Sequence, residues 1–183
     1  MELEEHNEEV RACERCRLHE NRTQAVPNQG NPDADVMVLG KMVGYKDDTV
    51  GLPYQGEAGN VLDHALESAG KGRKDVFLTN LTRCYPPESR DPRADELDRC
   101  ATYFERELGI VDPDVIVALG KLVAERLLGK DVSIEEKHGT FHTYNTLTYR
   151  GEVLVTYNVG AATYEPDLRG VIAEDFESAF DAV

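Results

Sequence analysis

Four cysteines stand out in a chain of 183 residues. Cys13 and Cys16 form a C-x2-C pair, and Cys84 and Cys100 follow after 67 and 15 intervening residues. Two thiolates spaced this closely on a turn can reach one metal centre, and the fold must bring the other two. Four thiolates suit either a [4Fe–4S] cluster or a zinc site with four thiolate ligands. Ligand softness alone does not separate the two. The bland alternative is four unrelated buried thiols, since free cysteine packs well. Cys13 and Cys16 sit among charged residues, which is not the setting of packing cysteines. A chain of this length can bury a hydrophobic core without metals or disulfides, so the cysteines call for a chemical reason.

The elements that must position them are legible as alternating patterns. Residues 2–12 are acidic and helical in spacing, and run into Cys13. Residues 22–34 are polar with Pro and Gly and read as a loop. The runs 35–40, 75–80, 114–120 and 153–157 are short and apolar, as buried parallel strands are. Helical spacing covers 59–70, 94–108, 120–128 and 166–180. Residues 41–57 carry Gly44, Gly51, Pro53 and Gly56 and read as irregular. Residues 139–157 alternate in polarity, with Arg150-Gly151 read as a turn. Strands alternating with helices predict one α/β domain over 1–183, a three-layer α/β/α fold around a central, mainly parallel four-stranded sheet. Ligands of such sheets bind outside the carboxyl ends of the strands. The site is therefore expected from residues 40–56, 80–84 and 157–162.

Charge constrains the partner. The chain carries 35 acidic and 20 basic residues, a net charge of −15, and seven of its cations are lysine. Such a charge repels nucleic-acid phosphates at low salt. An acidic, lysine-poor surface also suits a halophile's cytoplasm, where molar salt shortens the Debye length to about 3 Å. The first thirty residues are charged, no apolar run approaches the roughly 20 residues of a membrane helix, and a cytoplasmic protein is expected.

Two segments carry a family resemblance. Thr79-Asn80-Leu-Thr-Arg-Cys84-Tyr-Pro-Pro-Glu-Ser-Arg90-Asp-Pro-Arg93 resembles the T-N-x-x-K-C-R-P-P-x-x-R-x-P segment of family 4 uracil-DNA glycosylases. Gly51-Leu-Pro53-Tyr54-Gln-Gly56-Glu-Ala58-Gly59 is similar to that family's G-x-P-[FY]-x-G-x-A-G. The resemblance runs from Cys13 to about Phe180. It implies a [4Fe–4S] cluster on Cys13, Cys16, Cys84 and Cys100. It gives Tyr54 the role of stacking on a flipped uracil, and Asn80 that of pairing with the uracil edge, for which an amide offers both donor and acceptor. It implies a DNA partner and a base flipped out of the duplex, and a monomer is expected. Arg83, Arg90 and Arg93 are the expected phosphate contacts, with Lys71, Arg73 and Lys74 as a second basic spot.

Two family motifs depart. The first resembles G-E-[AG]-P-G after the first strand and here reads Gly40-Lys41-Met42-Val43-Gly44. Gly40 and Met42 keep their places beside the base, while Lys41 replaces a carboxylate that helps position water. Asp47 and Asp48 are the acids near enough in sequence to compensate. The second resembles H-P-S after the fourth strand, and Asn158 stands at the histidine. Its amide can donate to the leaving base, as a weaker, neutral donor. Three functions follow: a glycosylase working through Lys41, Asn158 and Asp47; a non-catalytic module binding damaged or single-stranded DNA; or a lysine nucleophile, Lys41, forming a Schiff base with an abasic sugar.

Overall fold

The computed structural model describes residues 2–183. The chain runs α1 (Glu2–Arg11), β1 (Gln29–Gly30), β2 (Val36–Gly40), α2 (Tyr45–Val50), α3 (Gly56–Ser68), β3 (Phe77–Asn80), α4 (Ala94–Val111), β4 (Val115–Leu119), α5 (Lys121–Leu128), α6 (Ile134–Lys137), β5 (Phe141–Asn145), β6 (Arg150–Thr156) and α7 (Leu168–Asp181). The sheet order is β1-β3-β2-β4-β6-β5. Its four central strands are parallel, as the apolar runs predict. Two antiparallel edge strands, β1 against β3 and β5 against β6, extend it to six.

Both faces of the central strands are covered, because their side chains alternate between two cores. Met37, Leu39, Ile116, Ala118, Val153 and Val155 pack under α4 and α5. Val36, Val38, Val115, Val117 and Leu154 face the other way, under α3 and α7. The chain leaves β2 for β3 on one side and returns to β4 on the other. That reversal opens a crevice at the carboxyl ends of the strands, and Gly40, Asn80 and Asn158 surround it.

Three local expectations change. Residues 41–57 contain a helix, α2, because their glycines cap it instead of interrupting it. Gly44 is its N-cap, and Gly51 ends it at φ 85°, a left-handed value that suits glycine. Residues 22–34 contain the short edge strand β1. Arg150-Gly151 is not a turn: it lies within β6, and the chain reverses over 146–149, where Thr146 N donates to Tyr149 O at 2.8 Å. Gly151 is glycine for packing, since a Cβ there would stand 2.0 Å from the Tyr149 hydroxyl.

Candidate active site

The crevice is lined by Gly40, Lys41, Met42, Asp47, Tyr54, Asn80 and Asn158. The fold thus brings together all seven pocket residues expected from the sequence. Tyr54 is buried and takes φ 54°, in the left-handed region that a bulky residue avoids. The surroundings hold it there. Its hydroxyl donates to Thr79 O at 2.8 Å, and Arg73 Nη2 donates to Tyr54 O. Arg73 also donates to Pro53 O at 3.1 Å and pairs with Asp63 at 2.7 Å. Arg73 therefore clamps the aromatic loop and is not a free phosphate contact. Gly59 lets that loop close, because a Cβ there would meet Tyr54 O at 2.0 Å. Strain of this kind concentrates at functional sites.

Asn80 ends β3 with its Oδ1 buried and without a hydrogen-bond partner. A Cβ on Gly40 would stand 2.4 Å from that oxygen and 2.5 Å from the Tyr54 hydroxyl. Gly40 must therefore be glycine for the amide and the phenol to approach the same point. A buried acceptor without a partner costs about 1–3 kcal/mol, a cost that an N–H donor entering the crevice would remove.

Asn158 begins a short 3-10 turn, Val159–Thr163, and its Oδ1 accepts from Gly160 N at 2.9 Å. That cap leaves the amide nitrogen available as a donor. Asp47 lines the pocket with both oxygens engaged, accepting from Gln55 N at 2.7 Å and Gly44 N at 3.1 Å. Burial pushes its carboxyl up, against the pull of those backbone donors. Asp47 ties the aromatic loop to α2 and is poorly placed to activate water. Asp48 faces elsewhere and accepts from Thr23 N at 2.9 Å. Lys41 Nζ pairs with Asp91 Oδ1 at 2.5 Å. An amine held by a carboxylate gives the Schiff-base reading no support.

The arginine expectations need correction. Arg83 is 1% exposed. It donates through Nη1 and Nη2 to Glu107 at 2.6 and 2.7 Å, so it cannot meet a phosphate. Arg90 forks onto Glu96 at 2.9 and 2.7 Å. Arg93 is exposed at the start of α4 and lines a surface hollow beside Arg17 and Arg90.

All four cysteines line one small cavity, together with Arg15, His19, Arg22, Arg99 and Tyr103. None of them is in a disulfide. Arg22 Nη1 donates to Cys84 Sγ at 3.1 Å and to Cys13 O at 2.6 Å. Burial pushes the thiols of Cys16 and Cys84 up, and that of Cys100 to about 12. Among the described residues, no three His, Cys, Asp or Glu side chains converge as ligands of a single ion.

Between this cavity and the crevice lies a buried hub that the sequence reading missed. Glu107, fully buried on α4, accepts from Arg83, from Thr79 Oγ1 at 2.7 Å and from Asn28 Nδ2 at 2.9 Å. His6 Nε2 lies 3.0 Å from its Oε1. Burial opposes its charge, but the Arg83 guanidinium and the hydrogen bonds outweigh it and hold the carboxyl at about 2. The available signal was an acid inside the apolar stripe of 94–108, one turn after Phe104.

The fold agrees with the chain's relatives. The family model described as uracil DNA glycosylase superfamily matches residues 27–177. A type-4 uracil-DNA glycosylase of Saccharolobus solfataricus is 38% identical over 96% of this chain and 84% of its own length. Type-4 uracil-DNA glycosylases of Archaeoglobus fulgidus and Thermotoga maritima are 33% and 34% identical over 96% and 94% of this chain, and 88% and 90% of their own lengths. With its parallel sheet, crevice and cysteines in place, the chain belongs to the uracil DNA glycosylase superfamily, among its type-4 members.

Proposed function

We propose that this protein is a DNA-repair glycosylase that hydrolyses the N-glycosidic bond of a uracil flipped from DNA. The observation that carries this reading is the unpartnered Asn80 Oδ1, buried beside Tyr54 over a glycine floor. A flipped uracil offers an N3–H for that oxygen and a π-face for Tyr54. Asn158 then donates its amide N–H to a carbonyl of the leaving base as negative charge grows there. The sugar develops oxocarbenium character, as in other glycoside hydrolyses. A lysine near that sugar is unfavourable unless an anion offsets its charge, as Asp91 does in the protein alone. The protein works as one domain, as a monomer, with Arg93 on the DNA.

The test is uracil release from single- and double-stranded oligonucleotides at several salt concentrations, the latter because the acidic composition suits a saline cytoplasm. Wild type is expected to release uracil slowly. Lys41→Glu with Asn158→His is expected to raise the rate by about 10²–10³-fold, the typical worth of one preorganised donor. No release by either protein, both folded, rules the reading out.

The cysteine cavity fits a [4Fe–4S] cluster. Four cysteines outside any disulfide share it, with Arg22 on one sulfur to balance thiolate charge. A single zinc needs all four sulfurs about 2.3 Å from one point, whereas a cluster distributes them over several irons. Such a cluster would here supply a crosslink between the segment after α1, the loop after β3 and α4. Protein purified without oxygen is expected to contain about four irons and four sulfides per chain, with visible iron–sulfur absorbance that Cys84→Ser or Cys100→Ser removes. One zinc per chain and no iron would overturn the assignment.

A further inference from the structure

The arginines expected to hold DNA are mostly engaged inside the protein. Arg83 is on Glu107, Arg90 on Glu96, and Arg73 on Asp63 and the Tyr54 loop. A chain of net charge −15 still needs cations where a strand must enter. The crevice supplies two. Among the described residues, Lys41 and Lys46 are the only cations lining it. Lys46 projects from α2, and its alkyl stem lies against Gly56, where a Cβ would meet Cδ at 2.8 Å. Among the described residues it belongs to none of the ion pairs. Lys41 is partnered only by Asp91, an aspartate whose side chain is 65% exposed on the loop after β3. That loop carries two successive left-handed residues, Glu88 and Ser89, at φ 57° and 56°. Ser89 itself lines the crevice. Arg90, anchored on Glu96, holds the chain immediately before Asp91. An exposed carboxylate on a strained loop, resting on the ammonium at the pocket mouth, is a replaceable anion.

We propose that Lys41 and Lys46 receive the phosphates flanking the flipped nucleotide, and that Asp91 occupies Lys41 in the DNA-free protein as a stand-in for one of them. This rests on the reading of the crevice as a base pocket, but it concerns strand binding and not chemistry. The departure at position 41 then has a use: the same side chain that lost a carboxylate's role gained a phosphate's. Exchanging Asp91 for phosphate keeps the ammonium paired throughout, so binding does not leave a bare cation beside the sugar.

The test is fluorescence anisotropy of a uracil-containing single strand across a KCl series. Asp91→Asn is expected to tighten binding about two- to fivefold, the worth of an exposed ion pair. Lys41→Gln and Lys46→Gln are each expected to weaken it and to lower the slope of log Kd against log[salt] by about 0.7, the value for one phosphate contact on a single strand. In the Lys41→Gln background Asp91→Asn is expected to have no further effect beyond that of Asp181→Asn, a charge control on the far end of α7. Equal effects of Asp91→Asn and Asp181→Asn, or an unchanged slope in Lys41→Gln, would overturn the proposal. So would competition by inorganic phosphate, at matched ionic strength, strong enough to abolish strand binding, which would mark a free-anion site. Binding that behaves as stated without uracil release would sink the glycosylase reading and leave this one standing. Release with an unchanged slope would do the reverse.

Discussion

Replacing Glu107 by Gln is expected to lower unfolding stability by about 3–5 kcal/mol, because it leaves Arg83 as a buried charge without a counter-charge. Arg83 is 1% exposed and its fork faces no other acid. The amide keeps one acceptor oxygen and makes the other position a donor, so either Thr79 or the pair of Asn28 and His6 loses its acceptor at the same time. For a chain of this size the shift in Tm is about 2–4 °C per kcal/mol, so a loss of roughly 10 °C is expected in a thermal melt at fixed salt. Glu107→Leu with Arg83→Met is expected to cost less than either single change, since a buried pair replaced together leaves no orphaned charge. A melt of Glu107→Gln within about 1 kcal/mol of wild type would show that the hub is not what holds these segments.

The same residue sets an acid limb. Its folded-state value of about 2 lies below the ordinary 4.5, so the folded protein holds that proton more weakly than the unfolded chain does. Its contribution is complete above about pH 4.5 and declines as the pH falls towards 2. Glu107→Gln is expected to flatten that part of the stability profile. The hub also ties the cysteine cavity to the pocket. His6 lies on α1 ahead of Cys13, Arg83 adjoins Cys84, Glu107 shares α4 with Cys100, and Thr79 precedes Asn80. Loss of the hub should therefore loosen both sites together.

Asn80→Ala is expected to behave in the opposite way, lowering kcat/KM for uracil release by about 10²–10³-fold, the cost of losing a preorganised polar partner, with little change in the melt. In the protein alone, Asn80 Oδ1 makes no hydrogen bond. Deleting it removes an unsatisfied acceptor, worth about 1–3 kcal/mol. The cavity left by a few atoms costs a similar amount. Stability within about 1 kcal/mol of wild type is the expected outcome. Unchanged uracil release would remove Asn80 from the pocket's chemistry. A large loss of stability would make it a structural residue of β3. The pair of variants thus separates a residue that serves the fold from one that serves the ligand.

Much of the fold was legible because its signals are local. The four apolar runs became β2, β3, β4 and β6, since strands buried on both faces are apolar throughout. The edge strands were not, because Gln29–Gly30 is two residues long and Phe141–Asn145 is half exposed, so neither forms an apolar run. Helix α2 was hidden by the glycines that cap it.

The site divides along the same line. Residue type and spacing by themselves singled out Cys13, Cys16, Cys84 and Cys100 and the strand ends at Gly40 and Asn80, while the family resemblance added Tyr54, Asn158 and the departure at Lys41. The strand ends meet because parallel strands end on the same edge of the sheet, whereas the cysteines come from separate segments and meet only in the folded chain. Only the tertiary structure decided what the charged side chains do. Arg83 and Arg90 look alike in sequence to a phosphate-binding loop, yet Glu107 and Glu96 take them up from another element. Asp47 looks like a spare acid, yet backbone donors of two segments claim it. Lys41 meets Asp91 across 50 residues of sequence. A charge acts on whatever lies within a few ångströms, and folding, not sequence spacing, chooses those neighbours.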